Sequence, residues 1–159
     1  MLVIGPMKVL IAEDDRDLRE LLGWLLQKLG YQVVAAANGK EAWDAFRKGC
    51  FRLVLSDVLM PEIDGLELCR RIRTHKQPKY TYIIIITALI GKKDYLEGME
   101  AGADDFVTKP FDPNELKARL RVAERIIALQ EQAAEEAKDF GSVEPEGKEP
   151  QKAQEAQES

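Results

Sequence analysis

The sequence predicts an α/β protein: a doubly wound, five-stranded parallel sheet in the order 2-1-3-4-5, followed by an extended C-terminal helix. Five short runs rich in β-branched residues alternate with amphipathic segments between residues 7 and 111, which is the pattern of repeated strand–helix units. Several of these runs are apolar at every position, as expected of strands that helices cover on both faces of a parallel sheet.

The predicted elements alternate strictly along the chain. The predicted strands are 8–12, 31–36, 51–56, 80–87 and 105–108. After the first strand, leucines recur at three- and four-residue spacing from Leu18 to Leu26, which predicts a helix that Gly30 ends. Three more helices are predicted over 41–48, 66–74 and 92–101. Asp112 and Pro113 supply the cap and the first residue of a fifth helix.

The fifth helix has two apolar stripes. The first consists of Leu116, Leu120, Ala123 and Ile127, and the second of Val122, Ile126, Leu129 and Ala133. One stripe should face the sheet, whereas the other has no partner within the chain past about residue 124, which favours a contact with another protein over fraying in water. We therefore expect a domain at 7–125, a helical extension at 126–138 and a disordered acidic tail at 139–159.

Composition sets the broad class of the protein. The chain has 159 residues, of which 45% are hydrophobic and 32% charged, as in soluble globular proteins. A net charge of −5 and the lack of a basic stripe argue against direct DNA binding. With no signal peptide and no apolar run long enough to cross a membrane, we expect a cytoplasmic protein. Cys50 and Cys69 lack metal-site spacing, and we expect both to be small buried hydrophobic residues.

Polar residues follow four of the five predicted strands. Glu13, Asp14 and Asp15 follow the first strand, Asp57 the third, and Lys109 the fifth, while Thr87 ends the fourth. In the order 2-1-3-4-5 these four strands are neighbours, so their carboxyl ends should converge at the topological switch point. We interpret Asp15 as the cap of the first helix and the other residues as a shared site.

The charges of this site predict a bound cation. Two carboxylates about 5 Å apart repel by about 3 kcal/mol at an effective dielectric of about 20, and Lys109 alone cannot neutralise Glu13, Asp14 and Asp57. Oxygen ligands without His or Cys select a hard ion such as Mg²⁺. A metal ion, a hydroxyl and an ammonium around one carboxylate form a phosphoryl-transfer site, with Asp57 as the nucleophile, Thr87 as a hydrogen-bond donor and Lys109 as a counter-charge.

Four motifs lie at or near the ends of the predicted strands: AEDD at 12–15, SDVLMPEIDG at 56–65, TA at 87–88 and AGADDFVTKPF at 101–111. Together they resemble the receiver domains of two-component response regulators. The resemblance covers about residues 7 to 125 and implies a flavodoxin-like fold like that of chemotaxis regulators. It also implies that a sensor histidine kinase or phosphotransfer protein donates a phosphoryl group to Asp57.

The resemblance assigns further roles to individual residues. Mg²⁺ would be bound by Asp14, Asp57, the backbone carbonyl of Leu59, and Glu13 through a water. Thr87 would move toward the phosphate and Phe106 would rotate into the space it leaves. This switch would change a surface made of the fourth helix, the fifth strand and the fifth helix, through which a downstream effector, or a second copy of the chain, would bind. Such a domain is a phosphoacceptor rather than an enzyme with a separate substrate.

Two alternatives and one further hypothesis arise from the same residues. A haloacid-dehalogenase-type phosphatase needs an acid two residues after its nucleophile, and that position is Leu59. An interaction module that is never phosphorylated would not need Thr87, Lys109 and three acidic residues together. Because Leu59 and Leu89 are both apolar and neither can position a water for attack, we expect slow self-dephosphorylation.

Overall fold

The structure is a computed structural model that describes residues 6–141, with side chains described up to residue 138. Its ten elements in chain order are β1 (Lys8–Ala12), α1 (Arg16–Lys28), β2 (Gln32–Ala36), α2 (Gly39–Lys48), β3 (Leu53–Ser56), α3 (Gly65–Thr74), β4 (Tyr82–Thr87), α4 (Lys92–Ala101), β5 (Asp105–Thr108) and α5 (Pro113–Gly141). The helix α5 thus extends into the predicted tail, and the rest of that tail lies outside the described residues.

The five strands form one parallel sheet in the order β2-β1-β3-β4-β5, which confirms the predicted topology. One face of the sheet packs against α1 and α5, through residues such as Leu22 and Leu120. The other face packs against α2, α3 and α4, through residues such as Phe46 and Leu68. Every residue of β3 and β4 is buried, because both strands lie inside the sheet between two helical layers.

Strands β3 and β4 begin two residues later than predicted. The reason is that side chains occupy the preceding backbone groups. The Thr81 hydroxyl donates to the Phe51 carbonyl (2.7 Å), and the guanidinium of Arg73 donates to the Thr81 carbonyl (2.6 Å). These carbonyls are satisfied without a strand partner, so the ladder starts after them.

Polar caps set the starts of the first three helices. Asp15 accepts a hydrogen bond from the backbone of Leu18 (3.1 Å), which confirms it as the cap of α1. Asn38 accepts from the backbone of Glu41 (2.8 Å), and Asp64 caps α3 in the same way. Because Asn38 and Asp64 act as the caps, α2 and α3 begin at Gly39 and Gly65, slightly earlier than predicted.

The helix α5 runs from the carboxyl edge of the sheet to its amino edge. One of its two apolar stripes faces the sheet, as expected, and it is the first one. At the far edge, Glu124 accepts a hydrogen bond from Tyr31, which precedes β2, and Glu131 pairs with Arg52, which precedes β3. Packing against the domain therefore continues past residue 125. In the second stripe, Ile126 packs partly against the core, whereas Val122, Leu129 and Ala133 are exposed.

The two cysteines differ in environment. Cys69 is buried, whereas Cys50 is exposed, so the expectation of two buried thiols is wrong for Cys50. Cys50 follows the C-cap of α2, in a loop at the surface rather than within an element. Burial raises the pKa of the Cys69 thiol to about 12. Within residues 6–141, no helix is long and apolar enough to cross a membrane.

Candidate functional site

The residues that follow the strands are held at the carboxyl edge by continued backbone pairing. The Glu13 N–H donates to the carbonyl of Ala36 (3.1 Å), and the Asp57 N–H donates to that of Ala12 (3.0 Å). The Lys109 N–H donates to the carbonyl of Thr87 (2.9 Å). The sheet itself therefore fixes the backbone from which these side chains project, as the polar ends of the strands predicted.

Lys109 connects two of the acidic residues. Its Nζ lies 2.6 Å from Oδ2 of Asp57 and 3.0 Å from Oε1 of Glu13. Burial opposes the charge of Lys109, but hydrogen bonds to the two carboxylates outweigh it and raise the pKa of the ammonium above its ordinary value. Lys109 is therefore held as a cation between two anions.

The carboxylate of Asp57 is nearly buried, with only 7% of the residue exposed. Both of its oxygens have donors: Oδ1 accepts from the Val58 N–H (2.6 Å) and Oδ2 from Lys109. In addition, the Ser56 hydroxyl donates to the Asp57 carbonyl (2.8 Å), a contact that the sequence did not predict. A charged group in such an apolar strand end is stable because it is paired and hydrogen-bonded.

Glu13 is more buried than Asp57, and opposing effects act on the pKa of its carboxyl group. Burial raises the pKa of its carboxyl group, while the Asp15 N–H and Lys109 act in the opposite direction. Arg19 donates to the Glu13 backbone carbonyl (2.8 Å). The direct contact of Glu13 with Lys109 was not predicted, since nothing in the spacing of the two residues indicates it.

Three carboxylates are placed to share a cation. One oxygen each of Glu13, Asp14 and Asp57 lies within 4.8 Å of the others. Asp14 is exposed whereas the other two are buried, so the group opens to solvent on one side. This donor set contains only oxygen atoms and fits a hard, partly hydrated ion such as Mg²⁺. The side chain of Leu59 is 62% exposed, and the role of its carbonyl stays a prediction.

The two predicted switch residues lie on neighbouring strands, Thr87 at the end of β4 and Phe106 on β5. Thr87 is buried at the end of β4, and its hydroxyl accepts from the Leu89 N–H (3.2 Å). Phe106 lies on β5 with its ring 5.3 Å from that of Tyr95 on α4. It also covers Gly98, where an added Cβ would lie 2.3 Å from the ring. The Phe106 ring is therefore packed against α4.

A family model for the response regulator receiver domain matches residues 9–121 of the chain. Among curated proteins, the probable transcriptional regulator ycf27 of Porphyra purpurea is 43% identical over 114 residues, 72% of this chain and 46% of that protein. The protein of the same name from Cyanophora paradoxa is 42% identical over 118 residues, 74% of this chain and 48% of that protein. The chain thus spans about half the length of the curated relatives it matches.

Solved structures give the same fold. The chemotaxis protein CheY4 of Vibrio cholerae is 34% identical with a TM-score of 0.71, over 75% of this chain and 99% of that one. The BeF3-activated receiver domain of DrrB is also 34% identical, with a TM-score of 0.68, over 76% and 98% of the two chains.

Proposed function

This chain belongs to the family of response regulator receiver domains of two-component systems, and from that premise we propose that it accepts a phosphoryl group on Asp57 in a Mg²⁺-dependent reaction. The main support is the contact of Lys109 with Asp57 at 2.6 Å, beside three carboxylates whose oxygens lie within 4.8 Å of one another. Such a set combines a nucleophile with sites for a cation. The donor would be a sensor histidine kinase or a phosphotransfer protein in the cytoplasm.

Each residue has a role in the proposed transfer. A carboxylate oxygen of Asp57 forms a bond to phosphorus while the bond from phosphorus to the donor nitrogen breaks, and that nitrogen keeps the electron pair. Lys109 and the Thr87 hydroxyl would each bind a phosphoryl oxygen. A Mg²⁺ ion held by Glu13, Asp14, Asp57 and the Leu59 carbonyl would supply positive charge against the remaining phosphoryl oxygens.

We propose a phosphoacceptor rather than an enzyme that turns over a separate substrate. A phosphatase of the haloacid-dehalogenase type would need an acid where Leu59 stands, and the Leu59 side chain is apolar and exposed. Without an acid at this position, no side chain there can protonate a leaving group. The phosphoryl group would therefore stay on Asp57 as a signal.

The signal would reach partners through the surface of α4, β5 and α5. Phe106 contacts Tyr95 and covers Gly98 of α4, so a movement of its ring would change this surface. The exposed residues Val122 and Leu129 of α5 extend it with apolar area that fits a downstream effector or a second copy of the chain. The curated relatives are named as transcriptional regulators, and an output of that kind would require a partner protein or a further domain.

Intact mass spectrometry after incubation with acetyl phosphate and MgCl₂ tests the proposal. We expect the wild-type protein to gain the mass of one phosphoryl group. No mass should be gained when EDTA is present during the reaction, or by Asp57→Asn. Asp44→Asn, which changes an exposed carboxylate of α2, is the matched control and should be modified normally. A wild-type protein that gains no mass would leave the interaction module as the better interpretation.

A further inference from the structure

The loop between β3 and α3, residues 57–64, contains the groups on which the proposed transfer depends. We call it the acceptor loop. It includes Asp57 and Leu59, and Glu62 adopts a φ of 71°, a conformation that non-glycine residues rarely adopt and that persists only where the surroundings enforce it. The contacts that hold this loop therefore determine where Asp57 and the Leu59 carbonyl lie.

One contact closes the acceptor loop on itself. The Gly65 N–H donates to the Val58 carbonyl (2.8 Å). An added Cβ at Gly65 would lie 1.9 Å from the carbonyl oxygen of Asp57, so the start of α3 packs directly against the backbone of the phosphoacceptor. A displacement of the loop near Gly65 would therefore also displace the backbone at Asp57 and Val58.

A second contact comes from outside the loop, at Gly39 in the first turn of α2. An added Cβ at Gly39 would lie 1.6 Å from the Ile63 carbonyl oxygen and 2.5 Å from its carbonyl carbon. Those atoms are backbone, so no rotation of a side chain could relieve the overlap. Gly39 is required for space and not for a positive φ, because its backbone conformation is one that other residues also adopt.

The segment that contains Gly39 is itself firmly held. Asn38 caps α2, and the Ala37 N–H donates to Glu41 (2.9 Å). Three residues before Gly39, the carbonyl of Ala36 accepts the N–H of Glu13 (3.1 Å). A short segment from 36 to 39 thus contacts both sides of the site: Glu13 through Ala36, and the acceptor loop through Gly39.

We propose that Gly39 is a positioning residue for the phosphoryl transfer. Because Gly39 has no side chain, the Ile63 peptide packs directly against its Cα, and this contact fixes the positions of Asp57 and the Leu59 carbonyl relative to Glu13. This inference rests on the proposed function, since it concerns the same site. A methyl group at Gly39 would displace the acceptor loop and separate the ligands of the cation, although it would touch none of them.

Gly39→Ala tests this role, with Gly49→Ala as the matched control. Gly49 lies at the opposite end of α2, and its added Cβ would meet side-chain atoms of Phe51 and Lys8 rather than backbone. We expect Gly39→Ala to weaken Mg²⁺ binding about tenfold by isothermal titration calorimetry, as loss of a ligand-orienting contact does. Its phosphorylation by acetyl phosphate at subsaturating Mg²⁺ should slow to a similar degree, and Gly49→Ala should match the wild type in both measurements.

Urea unfolding without Mg²⁺ separates positioning from stability. The inference is overturned if Gly39→Ala binds Mg²⁺ like the wild type, or if Gly49→Ala loses as much affinity at equal stability. Should Gly39→Ala not fold, Asn38→Ala decides, because it loosens the start of α2 without adding atoms: we expect weaker Mg²⁺ binding, and unchanged binding would overturn the inference. A wild-type protein that neither binds Mg²⁺ nor is modified on Asp57 would instead refute the proposed function.

Discussion

At the scale of single residues, Lys109 is the cation that pairs with both buried carboxylates of the site. Its ammonium is within hydrogen-bond distance of both Asp57 and Glu13, two carboxylates that are otherwise nearly buried. A bound divalent ion would compete with Lys109 for the same oxygens. We therefore expect the ammonium to stabilise the metal-free protein and to oppose metal binding.

Replacement of Lys109 by Met separates these two effects. Without Mg²⁺ the variant should lose about 3 kcal/mol of unfolding free energy, because two acidic groups are left without their partner. Saturating MgCl₂ should restore most of this loss, and the variant should bind Mg²⁺ more tightly than the wild type. Urea unfolding at several MgCl₂ concentrations measures both effects, and equal destabilisation at every concentration would contradict the prediction.

We propose that the apolar side chains of Leu59 and Leu89 lengthen the lifetime of the phosphorylated state. Leu59 is exposed, so Leu59→Asn should change the chemistry of the loop without disturbing the core. We expect Leu59→Asn and Leu89→Glu to accelerate decay of the aspartyl phosphate, because each supplies a group that can orient an attacking water. Decay after removal of the phosphodonor is followed by intact mass, and unchanged lifetimes would refute the hypothesis.

The buried thiol of Cys69 makes stability depend on pH. The pKa of the thiol is raised to about 12 in the folded protein, whereas the pKa of an unfolded thiol is about 8.5. The unfolded state therefore loses a proton first, so unfolding becomes easier as the pH rises above about 8.5, by at most about 1.4 kcal/mol per pH unit. Urea unfolding from pH 8 to 10 should show this slope in the wild type and a smaller one in Cys69→Ala.

At the scale of elements, α4 and β5 meet through an aromatic ring and a glycine. The ring of Phe106 occupies the space that a side chain at position 98 would fill. The start of β4, by contrast, is set by a side chain of another element: Arg73 of α3 donates to the carbonyls of Thr81 and Gly102 (2.6 and 2.9 Å). Packing between neighbouring elements thus fixes both the position of the Phe106 ring and the start of β4.

Gly98→Ala should displace the Phe106 ring, because the added methyl would overlap a side chain that can rotate. Under the proposed switch, the variant should resemble the phosphorylated form before any modification. We expect beryllofluoride with Mg²⁺ to cause a smaller change in near-ultraviolet circular dichroism in Gly98→Ala than in the wild type. A full-sized change would show that the ring position is independent of Gly98.

Over the whole molecule, the predictable features were those encoded locally. Apolar runs predicted the strands, and the polar residues after them predicted that Asp57 and Lys109 would lie together, because parallel strands bring their carboxyl ends to one edge. The later starts of β3 and β4 and the contact of Gly39 with Ile63 could not be predicted. They depend on contacts between residues that are far apart in the chain, and the type of a single residue does not indicate such contacts.

The exposed stripe of α5 bears on the assembly of the whole protein. Leu129 is 60% exposed, and Gln130 beside it is also exposed. If a second copy binds this stripe, Leu129→Glu should abolish the dimer that light scattering detects with beryllofluoride, because a charge would enter an apolar contact. Gln130→Glu adds the same charge next to the stripe and should leave the dimer intact; a monomeric wild type would favour an effector protein instead.

The course of α5 has a consequence for how information leaves the domain. The helix begins at Pro113, four residues after Lys109. It reaches the amino edge of the sheet, where it contacts Tyr31 and Arg52. Because α5 is also packed against the sheet from Leu116 to Ile127, we expect this part of the helix to move as one unit. Under the proposed function, a partner bound at the far end of α5 would respond to phosphorylation of Asp57 without contacting the acyl phosphate, so the same contact would not expose that bond to hydrolysis.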